Sequence, residues 1–404
     1  MKFGYACIPL ATHYKTTKKF SLKNFNDEIL INCIESNLLG LLEILKYNLR
    51  NNIKMFRISS DIIPFGSHEI NNLNWQEHFK ELLLKIGDFA NENNIRLSMH
   101  PGQYTVLNSK DPSIVNRSIK DLQYHTDFLD CLNMDSSNKL ILHVGGVYND
   151  KPSAIDRFIK TYSSLDSSIK KRLIIENDEK SFSLYDLLNI SLKINTPIVL
   201  DNLHYFCMEN HIHTYNDLKD AFSTWSPSDG IPKVHYSEQA FNKRIGSHSN
   251  TIHLKNLTDY LNISKDLDFD IMLEVKDKDF SAIKANNFLN NVSNKADLEK
   301  QLEIYKYYLL EKSTSAYDHG YNIIMNKGIE SFLYYIDSLE DSLNTNSLSA
   351  LRSFSSTLTL KKTEKSYLDK LFLLEDTFKI KAYLLKIILR QDDDSLLSNY
   401  FLFT

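Results

Sequence analysis

Glycine is scarce in this chain of 404 residues, numbering only 11, and none sits in a G-x-x-x-x-G-K-[ST] or G-x-G-x-x-G arrangement. Phosphate loops and dinucleotide loops need such backbones, so a nucleotide cofactor is not expected. Cysteine is as thin. Cys7, Cys33, Cys131 and Cys207 are scattered, with no C-x-x-C pair. That excludes a thiolate zinc site or a disulfide framework and leaves free thiols in a reducing compartment. No apolar run approaches the roughly 18 residues of a membrane span. Met1 to Ala11 hold a short apolar run, broken by Pro9 and preceded by one Lys, so a first strand is expected there and not an export signal. A cytoplasmic protein without a membrane partner follows. An excess of one charge is also missing: the formal net charge is −4 and the pI about 6.4. A nucleic-acid partner would need a local basic face.

What the chain does have is a repeated local pattern. Arg96-Leu97-Ser98-Met99 reads as a short strand that stops at His100 and breaks into Pro101-Gly102. The pattern recurs. Leu140-Ile141-Leu142 closes on His143, Leu173-Ile174-Ile175 on Glu176, and Ile198-Val199-Leu200 on Asp201. Pro232-Lys233-Val234 closes on His235, and Ile271-Met272-Leu273 on Glu274. Apolar runs ending on metal-ligand residue types, spaced by roughly 25 to 45 residues, describe parallel strands with ligands at their carboxyl ends. Two earlier strands are expected, Phe3 to Cys7 and Met55 to Ile58. Helical patterns lie between, over Phe25 to Leu49, Trp75 to Asn91, Pro112 to Leu132 and Lys180 to Lys193. The count of strand–helix units closes a (β/α)8 TIM barrel over residues 1–295, within the α/β class.

From 296 to 404 the pattern is amphipathic helix: Ala296 to Lys312, Tyr321 to Leu343, Leu348 to Leu358 and Thr363 to Arg390. Charges of both signs are mixed there, as on the solvated face of a small helical module. The sequence assigns this C-terminal extension no role.

The candidate ligands are His100, His143, Glu176, Asp201, His204, His235, His248 and Glu274. One such residue at a strand end is ordinarily a cap or a hydrogen-bonded core group. A run of strand ends all carrying His, Asp or Glu is not explained that way. A set of N and O ligands without Cys points to zinc, manganese or similar divalent ions. Its size implies two or three ions, with a carboxylate such as Glu176 bridging. Clustered ions are the apparatus of phosphodiester hydrolysis. Gln103-Tyr104 follows His100 on the Pro-Gly turn. An amide and an aromatic on a loop tip can wedge into a base stack. Lys151, Lys233, Lys243, Arg244 and Lys276 lie in or near the mouth loops and could form a local basic groove.

The chain resembles the UV damage endonucleases, DNA-repair enzymes of the endonuclease IV-like barrel group. The matching motifs are Gly4-Tyr5-x-Cys7, Arg57 through His68, Met99-His100-Pro101-Gly102-Gln103-Tyr104, and Leu142-His143-x-Gly145-Gly146. They continue with Glu176-Asn177-Asp178, Asp201-x-x-His204, Lys233-x-His235-Tyr236-Ser237, His248 and Asp270 through Glu274, spanning about residues 3 to 280. The resemblance implies a three-metal centre. His100, His143 and Glu176 would hold one ion, Glu176, Asp201, His235 and Glu274 a second, and His204 with His248 the third. Mn2+ is the first choice of ion, with Zn2+ or Mg2+ as alternatives. Catalytic roles are expected for Glu176, Lys233 and His235. The family implies that Lys233 is N-carboxylated; by its residue type alone it is equally a phosphate-binding lysine. Gln103 and Tyr104 would probe the duplex, Tyr5 would assist, and His68 would contact phosphate or support the first metal. One departure is Pro9, where several family members carry Asn.

The implied activity is incision of damaged double-stranded DNA immediately 5′ to a photolesion, by a protein acting as a monomer. A related abasic-site endonuclease and a metal-dependent sugar isomerase or epimerase are the competing readings. The isomerase has no use for Gln103-Tyr104 on a protruding turn, and His204 and His248 would be surplus to it. A decayed barrel serving as scaffold conflicts with the complete ligand set.

Overall fold

A computed structural model describes residues 1–290, 292–340 and 342–391. The chain resolves into two compact units, one formed by Met1–Pro9, Tyr14–Asn250 and Ile263–Lys278, the other by Leu10–His13, Thr251–Asn262 and the residues from Asp279 onward.

The first unit is a closed barrel of eight parallel strands in sequence order: β1 Phe3–Ala6, β2 Met55–Ile58, β3 Arg96–Met99, β4 Leu140–His143, β5 Leu173–Glu176, β6 Ile198–Asp201, β7 Lys233–Tyr236 and β8 Asp270–Leu273. Such strands are covered on both faces, which is why they read as continuous Leu, Ile and Val and not as alternating patterns. Register brings ligand types side by side: His143 pairs with Glu176, and Asp201 with His235. The expected six strand ends are there, with His100 and Glu274 one residue past β3 and β8 and His235 one residue inside β7.

The helices start where the sequence supplies caps. Asn26 accepts the amides of Glu28 and Ile29 ahead of Asp27–Arg50. Asp111 and Pro112 open Pro112–Cys131, and Ser183 with Asp186 forms a capping box ahead of Leu184–Ile194. The pattern over Trp75 to Asn91 divides at Phe79 into Trp75–His78 and Lys80–Glu92. At the amino ends of the strands a buried ion pair closes the barrel. Arg96 Nη1 meets Asp270 Oδ2 at 2.9 Å and the Ile231 carbonyl at 2.6 Å, while Asp270 Oδ1 accepts the Lys2 amide at 2.8 Å. Gly145, after β4, adopts φ +111°, and a Cβ there would lie 2.4 Å from Asn108 Oδ1. Only glycine lets that loop turn so closely.

The second unit is helical among its described residues, as expected for the C-terminal extension. It includes the helix Leu254–Ile263 up to Asn262. Two long patterns break. Gly328, at φ +83°, separates Ala316–Lys327 from Ile329–Glu340, and Glu375, at φ 53°, helps separate Lys362–Leu373 from Thr377–Gln391. Ala296 to Lys312 likewise divides, at Tyr305. Periodicity alone misses these corners because apolar residues recur at helical spacing on both sides of them.

Candidate metal centre

Glu176, the last residue of β5, is buried and takes the centre of the mouth. Its Oε2 lies 3.0 Å from His100 Nε2 and 3.7 Å from His143 Nε2. Its Oε1 lies 2.8 Å from His235 Nδ1 and 3.7 Å from His204 Nδ1. His235 Nδ1 is also 3.1 Å from Glu274 Oε1, and His204 Nδ1 is 3.8 Å from Asp201 Oδ1. Strand ends from β3 to β8 thus converge on one carboxylate, because each places its last side chain at the same rim.

These residues fit divalent ions. Three groups have ligand atoms within 4.8 Å of one another: His100, His143 and Glu176; Glu176, Asp201 and His204; Glu176, His235 and Glu274. Bonds near 2.1 Å put neighbouring ligand atoms roughly 3.0–3.4 Å apart, close to the separations found. Asp201 Oδ2, His143 Nδ1 and His235 Nε2 are buried without a hydrogen-bond partner, a state that costs free energy unless something else meets them. His248 stands outside the three groups, its ring centroid 6.5 Å from that of His204. Both rings commit Nδ1 to a carbonyl, His204 to Asn177 and His248 to Glu274. That leaves Nε2 of each able to meet an ion.

The electrostatics are set by burial against mutual attraction. Burial pushes the Glu176 carboxyl up, but His235, His143 and His100 together hold it well below the usual carboxylate range. Glu274 is also raised by burial and brought down to about 2, chiefly by Arg57 and His235. Burial raises Asp201; His204 opposes this, while Glu176 and Glu274 add to it. His204 is lowered by burial and pushed up to about 9 by Asp201, Glu176 and Glu274. The buried carboxylates thus make the site favourable for positive charge.

Lys233 is wholly buried in β7, and its Nζ has no hydrogen-bond partner. Burial, with Arg96 and Arg57 nearby, holds its amine well below the usual lysine range. It is no surface cation, so it drops out of the expected basic groove, and the phosphate-binding reading fails with it. Of the remaining groove candidates, Lys151 is paired to Asp186 at 2.7 Å, Lys276 Nζ donates to Asn250 Oδ1, and Lys243 and Arg244 are exposed.

The Gln103-Tyr104 turn projects into solvent, with Tyr104 83% exposed. Its flanks are tied down. Ser60 Oγ donates to the His100 carbonyl at 2.8 Å, Thr105 Oγ1 to Asp121 Oδ2 at 2.6 Å, and the Val106 amide to Ser118 Oγ at 2.8 Å. Ser67 donates to the other Asp121 oxygen at 2.9 Å. His68, beside it, is exposed and joins none of the ligand groups; its Nδ1 accepts the Ile70 amide. The expectation for Tyr5 is not met. Its ring is 0% exposed, packs on Phe56 and donates its hydroxyl to Asn48 Oδ1 at 2.7 Å. The strand's alternation turns Tyr5 outward to the helix layer, away from the mouth.

Two site residues were missed as such. Arg57 pairs with Glu274; the signal was a lone cation inside Met55-Phe56-Arg57-Ile58. Asn177 is buried and ties β5 to β6: its Oδ1 accepts the Asp201 amide at 2.8 Å, and its Nδ2 donates to the Asp201 carbonyl at 3.1 Å. No local pattern marks that role.

Fold and site together define a TIM-barrel protein whose mouth is lined by histidines and carboxylates. The model of the family UV-endonuclease UvdE matches residues 1–303, and the chain belongs to that family. A UV DNA damage endonuclease of Clostridium perfringens (strain 13 / Type A) is 45% identical over 347 residues, covering 84% of this chain and 83% of that protein. One from Bacillus cereus (strain G9842) is 33% identical over 294 residues, covering 70% and 93%. The crystal structure of SacUVDE matches with a TM-score of 0.68 and 40% identity over 72% of this chain and 100% of that one.

Proposed function

We propose that this protein is a DNA-repair endonuclease that recognises UV photolesions in duplex DNA and hydrolyses the phosphodiester immediately 5′ to them, leaving 3′-hydroxyl and 5′-phosphate ends. The observation that carries the reading is the convergence of His100, His143, His204 and His235 on the Glu176 carboxylate at 2.8–3.7 Å, in a barrel of this family. His100, His143 and Glu176 would hold one ion, and Glu176, Asp201, His235 and Glu274 a second. His204 and His248, each with Nδ1 on a carbonyl, would offer Nε2 to a third. Divalent ions, Mn2+ first and Zn2+ or Mg2+ next, supply Lewis acidity there, acidifying water and offsetting charge on the phosphoryl oxygens. Arg57 keeps Glu274 ionised, and Asn177 holds Asp201 and His204 in place. Gln103 and Tyr104 probe the stack from a turn whose flanks are hydrogen-bonded to Ser60, Asp121 and Ser118, and His68 lies exposed on the neighbouring loop, open to phosphate.

Lys233 is N-carboxylated in this reading. Burial beside Arg57 and Arg96 disfavours the charged amine, which favours attack on CO2; the carbamate forms with loss of one proton to solvent and would bring negative charge to two cations. Native mass spectrometry of the intact metal-loaded protein should find the added mass of one CO2, absent from Lys233→Arg; an unmodified native mass ends the assignment.

The activity is placed in residues 1–295, with 296–404 as a helical extension, in a monomeric cytoplasmic protein. No described helix is long and apolar enough to cross a membrane. The test is a labelled duplex with one cyclobutane dimer, incubated with Mn2+, with EDTA, and with Glu176→Gln. A metal-dependent nick 5′ to the dimer, lost in the variant, is expected. Cleavage only at an abasic site would move the protein to that class, and cleavage of neither would overturn the proposal.

A further inference from the structure

The loop after β7 carries a feature that the metal centre does not use. Gln239 and His248 form an antiparallel bridge, and the Ala240 amide donates to the Ser247 carbonyl at 2.7 Å. The tip between them is held from inside by one side chain. Gln239 Nε2 donates to the carbonyls of Ala240 at 3.1 Å and Arg244 at 3.0 Å, and its Oε1 accepts the Gly246 amide at 2.8 Å. A short loop so filled is ordered before any ligand arrives. It displays Phe241, 87% exposed, and Ile245, 70% exposed, on either side of Lys243 and Arg244. Neither cation has an ion-pair partner among the described residues.

Position gives this arrangement its meaning. In the closed ring of eight strands, β7 stands opposite β3. The loop after β3 carries Tyr104, and the hairpin after β7 carries Phe241. Both leave the carboxyl ends of their strands, so two exposed aromatic tips rise from opposite sides of the rim around Glu176. The foot of the second tip is His248, whose Nδ1 is bound to the Glu274 carbonyl.

We infer that the 239–248 hairpin is a second DNA-inserting element, in which Phe241 stacks on a base and Ile245 backs it while Lys243 and Arg244 hold the flanking phosphates. Apolar side chains inserted at a base step, with cations on the backbone beside them, are how proteins hold a kinked duplex. A duplex gripped from opposite sides of the rim would be held open over the metal centre. The inference rests on the endonuclease reading and deepens it.

The test uses the full-length, metal-loaded protein and a fluorescein-labelled duplex with one cyclobutane dimer flanked by 2-aminopurine. Phe241→Ala is expected to weaken binding by about tenfold, the scale of one lost base–aromatic contact, and to reduce the 2-aminopurine signal of unstacking. Phe241→Trp should restore both, and melting temperature and bound metal should match the parent because the side chain touches solvent. Equal binding and equal unstacking by Phe241→Ala, while the parent binds and nicks the dimer, overturns this inference alone. Binding lost together with metal would make the hairpin a support for His248 and also overturn it. A parent that binds no duplex would remove the endonuclease reading itself.

Discussion

Asp201 caps the helix Asn202–Glu209 by accepting the His204 amide at 2.7 Å, and its second carboxylate oxygen is buried with no partner. One carboxylate thus starts a helix and leaves an oxygen for the centre. The two duties separate by substitution. Asp201→Asn keeps the capping oxygen, so the fold should hold to within about 1 kcal/mol. Metal affinity should fall by about 10–100-fold or more, read by competition with a chelating dye. Unchanged affinity would remove Asp201 from the ligands.

On the proposed metal reading, loading an ion would displace a proton from His204. In the bare protein its imidazole sits at about 9, because Asp201, Glu176 and Glu274 outweigh the effect of burial. A raised value in the folded state stabilises the fold fully below the unfolded histidine range, and that stabilisation is lost as pH climbs through about 9. Around neutral pH the ring therefore carries a proton that an incoming ion must expel. Calorimetric titration with Mn2+ in buffers of different protonation enthalpy should show about one proton fewer released by His204→Gln than by the parent. Equal release would place the proton elsewhere.

Tyr104 is exposed on a turn tied at both flanks, so its removal should touch recognition and nothing else. Tyr104→Ala is expected to bind a dimer-containing duplex about tenfold more weakly, the scale of one base–aromatic stack, with no change in melting temperature. Anisotropy against damaged and undamaged duplexes checks this. A loss of the same size on both would mean general affinity and no lesion probing.

Arg96 and Asp270 staple the barrel at the amino ends of its strands. Asp270→Asn leaves a buried guanidinium without its counter-charge and should cost about 3–5 kcal/mol in urea unfolding. Metal content of the folded fraction should be unchanged. A cost below about 1 kcal/mol would show that the carbonyls of Ile231 and Ser137, which also accept from the Arg96 guanidinium, suffice for it.

Strand ends were legible because parallel barrel strands are short apolar runs and the barrel places its chemistry where they stop. His100, His143, Glu176, Asp201, His235 and Glu274 could each be marked from a few neighbouring residues. Tyr5 shows the limit: four residues of strand do not say which face meets the helices and which the lumen, and the hydroxyl found Asn48 in the layer outside. Lys233 shows the same limit, since a cation near a mouth reads as surface until the barrel closes over it.

The sequence by itself determined the barrel, the helical extension and the types of ligand at the strand ends, since these follow from local pattern and residue chemistry. Tertiary structure decided which groups meet. It brought Arg57 to Glu274, set Asn177 behind Asp201 and His204, and buried Lys233 without a partner. It also set Phe241 across the rim from Tyr104. Those relations join residues from different strands, and only the closing of the ring, with its register, brings them within a few ångströms or sets them opposite one another.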